Sequence, residues 1–225
     1  MSKPRVLFFD VNETLLDLQK VKESVTKTLN GRAELVPLWF TTMLQYSLVN
    51  TVSDRFEDFG SIGVAALQMV AADHGILLSK KEASESVAPI VKLTPYEDSA
   101  EGLKLLKDAG FTLCALTNSS TEGLKKQMDY SGLGQYFDHL LSVEEVGYYK
   151  PHSHVYRWAM RKVRVAPEAS MMIAAHGWDV AGAMWAGMRA AFVARPQHQL
   201  YPLSQPTEIV AGDILKVAEK IINLE

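Results

Sequence analysis

The stretch RVLFFDVNETLLD, residues 5–17, opens with an apolar run and turns polar at Asp10. Residues 6–10 show no alternation of apolar and polar side chains, which is typical of a strand buried on both faces of a parallel sheet. An aspartate at the carboxyl end of such a strand projects into the crevice where open α/β sheets bind their ligands. Asp10 is therefore the first candidate functional residue, the alternative being an acid that caps a helix or belongs to a loop.

Further apolar runs predict four more strands of the same sheet, at residues 112–116, 139–143, 171–175 and 190–194. Four segments that lie before or between these runs have apolar residues at helical spacing and are predicted to be helices: 98–110, 121–130, 153–163 and 178–188. Asp98 and Glu101 have the spacing of a capping box at the first of these helices. Strands that alternate with helices predict an α/β fold with a doubly wound parallel sheet.

The interval after the first strand breaks this alternation. Residues 18–93 contain amphipathic helical patterns and no convincing buried strand. We therefore expect an α/β core domain of residues 1–17 and 94–225, and a helical cap domain of residues 18–93. Such a cap can close over the strand ends and exclude water from Asp10. The proline-containing segment 194–206, ARPQHQLYPLSQP, is interpreted as a surface loop.

Size and composition exclude several classes of protein. The chain has 225 residues, 48% of them hydrophobic, which is enough for a substantial core. Its net charge of -3, with dispersed lysines and arginines, indicates neither a nucleic-acid partner nor a membrane surface. The apolar run near the N-terminus is too short for a signal peptide, so a cytoplasmic protein is expected. The single cysteine, Cys114, cannot form an internal disulfide and is expected to pack in the core.

Polar clusters follow the other predicted strands as well. Thr117 and Asn118 precede a helix, where hydroxyl, amide and backbone N–H groups suit an anion. Lys150 follows the third strand and could keep Asp10 ionised, and His176 and Asp179 follow the fourth. Taken singly, each is more simply a helix cap, a solvated lysine or a structural histidine. A doubly wound sheet brings all of these strand ends together, which favours a common site.

The ordered set of motifs resembles the haloacid dehalogenase superfamily. The matching segments are FFDVNETLLD at 8–17, LTNSS at 116–120, YYKP at 148–151 and AAHGWDVAGA at 174–183. The resemblance covers nearly the whole chain and implies a Rossmann-like core with a cap inserted after the first motif. Most members of this superfamily are Mg²⁺-dependent phosphatases, and a minority cleave carbon–halogen bonds. Membership alone does not choose between these reactions.

Two positions favour halide over phosphoryl chemistry. A phosphatase of this family carries a second aspartate two residues after the nucleophile, as the acid for the leaving oxygen, where this chain has Asn12. It also carries a metal-binding acid after the fourth strand, where this chain has Ala174 or Ala175. Mg²⁺ would be poorly served by the remaining carboxylates. A departing halide needs neither a proton donor nor a metal, so we expect no metal and no cofactor.

The 2-haloacid dehalogenases are similar in three further places. These are LWFTTMLQYS at 38–47 in the cap, Tyr156 six residues after Lys150, and the WD pair of Trp178 and Asp179. By this resemblance Asp10 is the nucleophile that forms an ester, and Lys150 keeps it charged. Thr117 would hold the substrate carboxylate, and Asn118 would face the halide. The substrate-binding set is then Asn12, Phe40, Thr117, Asn118, Tyr156 and Trp178.

Departures from the family pattern carry the most specific hypothesis. The family commonly has an arginine for the halide after the cap tryptophan, whereas here Phe40 follows Trp39. Phe40, with Leu44, Phe59 and Trp178, is expected to line an apolar halogen pocket, the alternative being packing within the cap.

A second departure lies after the fourth strand, where the family commonly has serine and asparagine and this chain has Ala174 and His176. We predict that His176 activates the ester-cleaving water and that Glu13 orients it. The alternative is that Glu13 caps a helix and His176 fills a polar space. Asp179 either supports water activation or holds Lys150.

Together these inferences predict a metal-independent dehalogenase of short 2-haloacids such as haloacetates and L-2-halopropionates. The inverting course and the L preference are implied by the resemblance alone. A phosphatase with an altered metal site and a catalytically silent binding relative stay open as alternatives. A homodimer is expected from the family and from the apolar cap helices. The preferred halogen, the chain length and the physiological substrate are not predicted.

Overall fold

The computed structural model describes residues 3–224. Its strands, in chain order, are β1 Val6–Phe9, β2 Leu16–Asp17, β3 Thr94–Pro95, β4 Thr112–Thr117, β5 His139–Ser142, β6 Ser170–Ala174, β7 Arg189–Val193 and β8 Ile209–Ala211. Six of them, within these residues, form a sheet in the order β5-β4-β1-β6-β7-β8, and every neighbouring pair is parallel. The predicted α/β class with a doubly wound parallel sheet is confirmed.

Helices cover both the core and the inserted segment. They are α1 Gln19–Thr28, α2 Val36–Val52, α3 Phe59–Asp73, α4 Lys80–Val87, α5 Glu97–Asp108, α6 Thr121–Ser131, α7 Ser153–Lys162, α8 Gly177–Trp185 and α9 Ile214–Ile222. Short 3₁₀ turns lie at Ala33–Leu35, Ala88–Val91, Leu133–Tyr136, Val143–Glu145 and Pro167–Ala169. In the described part of the chain no helix is both long and apolar enough to cross a membrane.

The strand β1 lies at the centre of the sheet, between β4 and β6. Leu7, Phe8 and Phe9 are fully buried, which explains why the strand is apolar on both faces. Burial of each such side chain stabilises the fold by about 1.5–3 kcal/mol. Cys114 lies on β4, where it pairs with Phe8, and is equally buried. Burial raises the pKa of its thiol to about 12. This cysteine packs in the core, as predicted.

The inserted helical segment begins after β2 and ends before β3, and these two strands form a small two-stranded sheet. Leu16 pairs with Pro95 and Asp17 with Thr94 in an antiparallel arrangement, and α1 to α4 lie between these two short strands. The division into a core of residues 1–17 and 94–225 and a cap of residues 18–93 stays a proposal. Residues 1, 2 and 225, which it assigns to the core, lie outside the described residues.

Two predictions about local structure are wrong. Asp98 does not cap α5, because the N-cap is Tyr96 and no side chain caps the helix. The Asp98 carboxylate instead accepts hydrogen bonds from both terminal nitrogens of Arg195, each at 2.8 Å, and from Ile214 N at 2.6 Å. The second error is a missed strand: β8 follows the proline-containing loop, and its three residues are too few to show a periodic pattern.

Candidate active site

Asp10 directly follows β1, and its carboxylate is buried at the carboxyl end of the sheet. Its Oδ1 accepts a hydrogen bond from Lys150 Nζ at 2.9 Å. Its Oδ2 accepts one from Thr14 Oγ1 at 2.7 Å and lies 3.0 Å from His176 Nδ1. Burial by itself would raise the pKa of Asp10, but Lys150 and His176 hold that pKa well below the ordinary carboxyl range. Asp10 is therefore an ionised, desolvated carboxylate.

The Lys150 side chain contacts residues next to β1, on β4 and on α8. Its ammonium group contacts Asp10 Oδ1, Asp179 Oδ2 at 2.6 Å and the carbonyl oxygen of Leu116 at 2.9 Å. Only 1% of its side chain is exposed, so burial by itself would lower the pKa of Lys150, yet the two carboxylates raise it. The lysine is held as a cation between Asp10 and Asp179.

Asp179 contacts the Lys150 ammonium group directly, and Tyr156 contacts Asp179 in turn. Tyr156 is fully buried, and its hydroxyl donates to Asp179 Oδ1 at 2.6 Å. Burial raises the pKa of Asp179, which Lys150 and the Tyr156 hydroxyl partly oppose. Tyr156 was predicted among the substrate-binding residues, but its hydroxyl is committed to Asp179. This arrangement favours a positioning role for Tyr156, and it favours the second alternative for Asp179, that it holds Lys150.

His176 lies between two carboxylates. Its Nδ1 faces Asp10 Oδ2, and its Nε2 lies 3.2 Å from Glu13 Oε2. Burial by itself would lower the pKa of His176, but hydrogen bonds and charge from Asp10 and Glu13 raise it to about 9. At neutral pH His176 is therefore an imidazolium that donates from both ring nitrogens. The Glu13–His176 contact expected from the sequence is present.

Glu13 has an unusual backbone. Its φ of 60° lies in the left-handed region, which costs a residue with a Cβ roughly 1–2 kcal/mol. Its second oxygen, Oε1, pairs with Lys22 Nζ at 2.6 Å. Burial by itself would raise the pKa of Glu13, but His176 and Lys22 lower it to about 2. A strained backbone that aims a buried carboxylate at His176 indicates a functional constraint.

Aromatic rings enclose the imidazole. Trp178 stacks on His176 with ring centroids 5.1 Å apart, and Phe40 stacks on it at 6.3 Å. Trp178 also lies below the Lys150 ammonium, 5.9 Å from the ring centroid. Phe40 thus presents a flat apolar ring to one face of His176.

The remaining predicted residues are anchored around the start of α6. Thr117 Oγ1 accepts from Ser119 N at 3.2 Å, and Asn118 Oδ1 accepts from Lys150 N at 3.0 Å. Asn12 Nδ2 donates to Ser119 Oγ at 3.4 Å. The Asn118 carbonyl is thereby committed, which leaves its Nδ2 group for a ligand. The positive end of the helix dipole adds to the attraction for an anion.

Two cavities meet at Phe40. One, of about 190 Å³, lies between the inserted helices and the start of α6 and is lined by Asn12, Phe40, Phe59, Ser119 and Gln127 among others. The other, of about 570 Å³, is lined by Glu13, Phe40, Leu44, His176, Trp178 and His198 among others. The four apolar residues expected in one halogen pocket are therefore divided between two cavities, and Phe40 lies in the lining of both.

The carboxylates do not fit a Mg²⁺ site. The position between Asp10 and Asp179 is filled by the Lys150 ammonium, and Ala174 and Ala175 offer no oxygen side chain. A hard cation that prefers six or more oxygen ligands would have to displace the lysine. In residues 3–224 one group of possible ligands, Glu13, His176 and His198, has its donor atoms within 4.8 Å of one another. His176 already pairs with Asp10 and with Glu13, and Glu13 also pairs with Lys22. The group is therefore part of a hydrogen-bonded network whose charges are balanced.

Sequence reasoning missed three residues of the site. Thr14 bridges Asp10 and the backbone N–H of Ala175, which donates to its hydroxyl at 2.9 Å. Arg195 donates to the Thr14 carbonyl at 2.9 Å, and the ring of His198 contacts that of His176 edge to face. Arg195 and His198 lie in the segment interpreted as a surface loop. A signal was present, since Arg195 is the second and His198 the fifth residue after the end of β7.

Comparisons with known proteins show which sequences resemble this chain. The sequence profile of the haloacid dehalogenase-like hydrolases matches residues 4–187. The chain is 29% identical over 222 residues to (S)-2-haloacid dehalogenase 1 of Pseudomonas sp. (strain CBS-3), covering 93% of this chain and 98% of the relative. It is 26% identical over 212 residues to the (S)-2-haloacid dehalogenase of Pseudomonas sp. (strain YL), covering 94% and 91%.

The fold is shared with a solved structure as well. The L-2-haloacid dehalogenase from Xanthobacter autotrophicus superposes with a TM-score of 0.91 at 23% sequence identity, covering 99% of this chain and 100% of that chain. An identity this low shows the fold alone.

Proposed function

The chain belongs to the haloacid dehalogenase-like hydrolases, and from that premise we propose that it is a hydrolase that cleaves the carbon–halogen bond of short 2-haloacids without a metal. The observation that carries this proposal is the setting of Asp10. Its carboxylate is buried and kept ionised by Lys150 and His176, and the neighbouring Asn12 cannot supply the proton that an alkoxide leaving group needs. The names of the curated relatives support the same reaction class.

In the first step Asp10 attacks the halogen-bearing carbon. Oδ1 accepts one hydrogen bond, from Lys150, whereas Oδ2 is engaged by Thr14 and His176, so Oδ1 keeps more lone-pair capacity for the attack. A bond forms between Oδ1 and carbon, the carbon–halogen bond breaks, and the halide leaves with the bonding electrons. No proton is transferred in this step.

The substrate is held at the start of α6. Thr117 and the Nδ2 group of Asn118 face the carboxylate and the halide respectively, and the helix dipole favours the anion. The apolar cavity of about 190 Å³ that Asn12, Phe59 and Ser119 line adjoins this point, since Ser119 directly follows Asn118, and it would take the apolar part of the substrate. Phe40 offers the halogen a polarizable aromatic contact in place of a guanidinium.

In the second step water cleaves the ester at the aspartyl carbonyl, with His176 as its base. Ester formation removes the negative charge of Asp10, one of the two charges that hold the pKa of His176 near 9. The imidazolium then loses a proton more readily, and the neutral ring can accept one from water. Glu13, which accepts from Nε2–H, holds the tautomer whose Nδ1 lone pair faces Asp10.

The buried groups beneath the nucleophile set its position. Lys150 keeps Asp10 ionised, and Asp179 and Tyr156 keep Lys150 in place through direct hydrogen bonds. Substitution of Asp179 or Tyr156 is therefore expected to act on the nucleophile through Lys150. The expected cytoplasmic location and the homodimer stay predictions.

The test measures halide release from bromoacetate and L-2-bromopropionate in EDTA, beside phosphate release from small phosphoesters with Mg²⁺. Halide release in EDTA that is lost in Asp10→Asn is the expected result. Phosphate release without halide release would favour a phosphatase with an altered metal site. Release of neither halide nor phosphate would favour a silent relative that binds a small carboxylate.

A further inference from the structure

The hydroxyl group of Thr14 holds one oxygen of the proposed nucleophile. It donates to Asp10 Oδ2 at 2.7 Å and accepts from the backbone N–H of Ala175 at 2.9 Å. A hydroxyl has a single proton, so the bond from Ala175 leaves that proton for Asp10. Thr14 is fully buried, and water does not compete for either bond. The position of Thr14 therefore determines how Oδ2 is held, and with it the direction in which Oδ1 faces the substrate.

The backbone that carries Thr14 lies in a loop between β1 and β2 and is strained. Glu13, the preceding residue, has a φ of 60° in the left-handed region. This conformation is disfavoured for a residue with a Cβ, so it persists only where the surrounding groups hold the chain. The loop consequently needs contacts from other elements to keep the Thr14 hydroxyl at Asp10.

Arg195 makes such a contact. Its buried side chain donates to the carbonyl oxygen of Thr14 from Nη2 at 2.9 Å and from Nε at 3.3 Å. Within residues 3–224 both hydrogen bonds to this carbonyl come from Arg195. The next carbonyl, that of Leu15, has other donors, which are Tyr96 N at 3.0 Å and Ser99 Oγ at 2.9 Å. The position of the Thr14 carbonyl thus depends on Arg195.

The guanidinium group of Arg195 is fixed on its other side. Nη1 and Nη2 each donate to the Asp98 carboxylate at 2.8 Å in a bidentate pair. The Tyr96 ring packs on the guanidinium, with its centroid 3.9 Å from Cζ. Asp98 lies in the first turn of α5, so Arg195 connects this helix to the loop that carries Thr14. Only a planar group with several donors serves both sides, because a lysine ammonium lacks this fork.

We infer that Arg195 is a positioning residue for the displacement step, which acts through the Thr14 carbonyl to orient the Asp10 carboxylate toward the halogen-bearing carbon. The inference rests on the proposed function. Arg195 bonds to Thr14 and Asp98 and not to the reacting carboxylate. Its loss should therefore slow the first step without weakening substrate binding. A nucleophile misplaced by about 1 Å reacts roughly a hundredfold more slowly.

The experiment measures the first step in single turnovers, with enzyme in excess over L-2-bromopropionate. Bromide is quantified after rapid quenching at several enzyme concentrations, which gives the maximal rate constant and the half-saturating concentration. In Arg195→Ala the maximal rate constant should fall by roughly tenfold to a hundredfold, and in Arg195→Lys by less. The half-saturating concentration should stay within about twofold of wild type in both variants.

The matched control is Asp98→Asn. It breaks the same ion pair but leaves both donors from Arg195 to the Thr14 carbonyl in place. Its urea midpoint should fall as that of Arg195→Ala does, because either substitution leaves one partner of the pair buried alone. Its maximal rate constant should nevertheless stay within about threefold of wild type. A purely structural role for Arg195 would affect both variants alike.

A double-variant cycle tests whether the effect passes through Thr14. Thr14→Val removes the hydroxyl and should itself slow the first step. Adding Arg195→Ala to Thr14→Val should slow it by no more than about a further twofold, because the carbonyl then positions a side chain that has no bond to Asp10. Guanidinium chloride at a low, non-denaturing concentration should restore part of the rate in Arg195→Ala, whereas the same concentration of KCl should not. The double variant should gain nothing from guanidinium.

Three results overturn the inference. A wild-type rate constant in Arg195→Ala would mean that the nucleophile is oriented without Arg195. Equal losses of rate in Arg195→Ala and Asp98→Asn would assign Arg195 to stability alone, and effects of Thr14→Val and Arg195→Ala that multiply would exclude a route through Thr14. If Arg195→Ala does not fold, Arg195→Lys takes its place in the same comparisons. Absence of bromide from the wild type would instead refute the proposed function, and this is seen without any variant.

Discussion

His176 Nδ1 lies 3.0 Å from Asp10 Oδ2, so the group proposed to activate water already contacts the carboxylate whose ester that water would cleave. This contact has a different chemical role before and after the ester forms. Before alkylation the imidazolium stabilises the ionised nucleophile. After alkylation the same nitrogen, once deprotonated, faces the carbonyl that water must attack. A single residue can serve both steps because the charge of Asp10 changes between them.

The first prediction is that His176→Asn traps the ester. Without a base the second step should slow by roughly 10²–10⁴-fold, whereas the first step needs no proton transfer. Bromide release should stop after about one equivalent per enzyme, and the Asp10 peptide should gain the mass of the carboxyalkyl group, that is, the substrate without its bromine. The matched control is Asp10→Asn, which should release no bromide at all. Loss of bromide release in His176→Asn without a trapped ester would assign His176 to binding or to the first step.

A second prediction separates the charge of Glu13 from its backbone strain. Glu13→Gln keeps the φ of 60° and removes the charge, whereas Glu13→Gly removes both the charge and the steric cost. Ester decay should slow in both variants, and Glu13→Gly should have a free energy of unfolding about 1 kcal/mol higher than that of Glu13→Gln. The measurements are ester decay by rapid quench and unfolding by urea. Equal ester decay in wild type and Glu13→Gln would exclude Glu13 from the dyad.

The third prediction concerns stability and pH. The pKa of His176 is raised to about 9 in the folded protein, above its ordinary value of 6.5. A raised pKa contributes stability that is fully present below about pH 6.5 and is lost as the pH rises through about 9. The contribution is on the order of 3 kcal/mol. Urea unfolding should therefore show the stability difference between wild type and His176→Asn shrinking over this range. A difference that stays constant with pH would contradict the charged state of His176.

Much of the site follows from one rule about parallel sheets. Asp10, Thr117, Lys150 and His176 were all found by looking at the residues that follow apolar runs, and the structure gathers them at one edge. The Glu13–His176 contact was also predicted, from the histidine that stands after the fourth strand where the family commonly has asparagine and from the acid three residues after Asp10. These inferences depended on sequence position along strands, which the sheet topology converts directly into distance.

Other features depended on packing that no local pattern carries. The strand β8 has three residues, and the loop before it reads as solvated although it delivers Arg195 and His198 to the site. Asp98 has the spacing of a capping residue, but the guanidinium of Arg195 is a stronger partner than a helix N–H group. Tyr156 was expected at the substrate, and only the three-dimensional contact with Asp179 shows where its hydroxyl is used.

A fourth prediction tests the buried lysine. Lys150→Met would leave Asp10 and Asp179 buried without their shared cation, which typically costs 3–5 kcal/mol of the free energy of unfolding. The double variant Lys150→Met/Asp179→Asn removes one of the uncompensated charges and should regain part of this loss. The control Lys104→Met removes an exposed lysine paired with Asp108 and should unfold like wild type. Equal urea midpoints for Lys150→Met and wild type would show that the buried pairs contribute nothing.

The last prediction concerns the contacts that α6 makes with the loop after β1 and with the end of the inserted segment. Gln127 on α6 is 1% exposed, and its Nε2 donates to Asn12 Oδ1 at 2.9 Å and to the carbonyl oxygen of Ile90 at 2.8 Å. Both partners are acceptors, so the amide orientation is fixed by the Ile90 carbonyl, and Gln127 Oε1 is left buried without a partner.

Gln127→Leu should therefore lower the free energy of unfolding by about 1–3 kcal/mol, because two acceptors lose their donor. The substitution also removes the buried, unpaired Oε1 of Gln127. This gain in free energy offsets part of the cost of losing the two hydrogen bonds. The control is Gln135→Leu, whose amide donates to Gly132 on the surface and whose removal should change stability by less than about 0.5 kcal/mol. Since Asn12 and Gln127 both line the smaller cavity, KM for L-2-bromopropionate should rise in Gln127→Leu while ester decay keeps its wild-type rate. A slower ester decay with unchanged KM would instead connect Gln127 to the Glu13–His176 dyad.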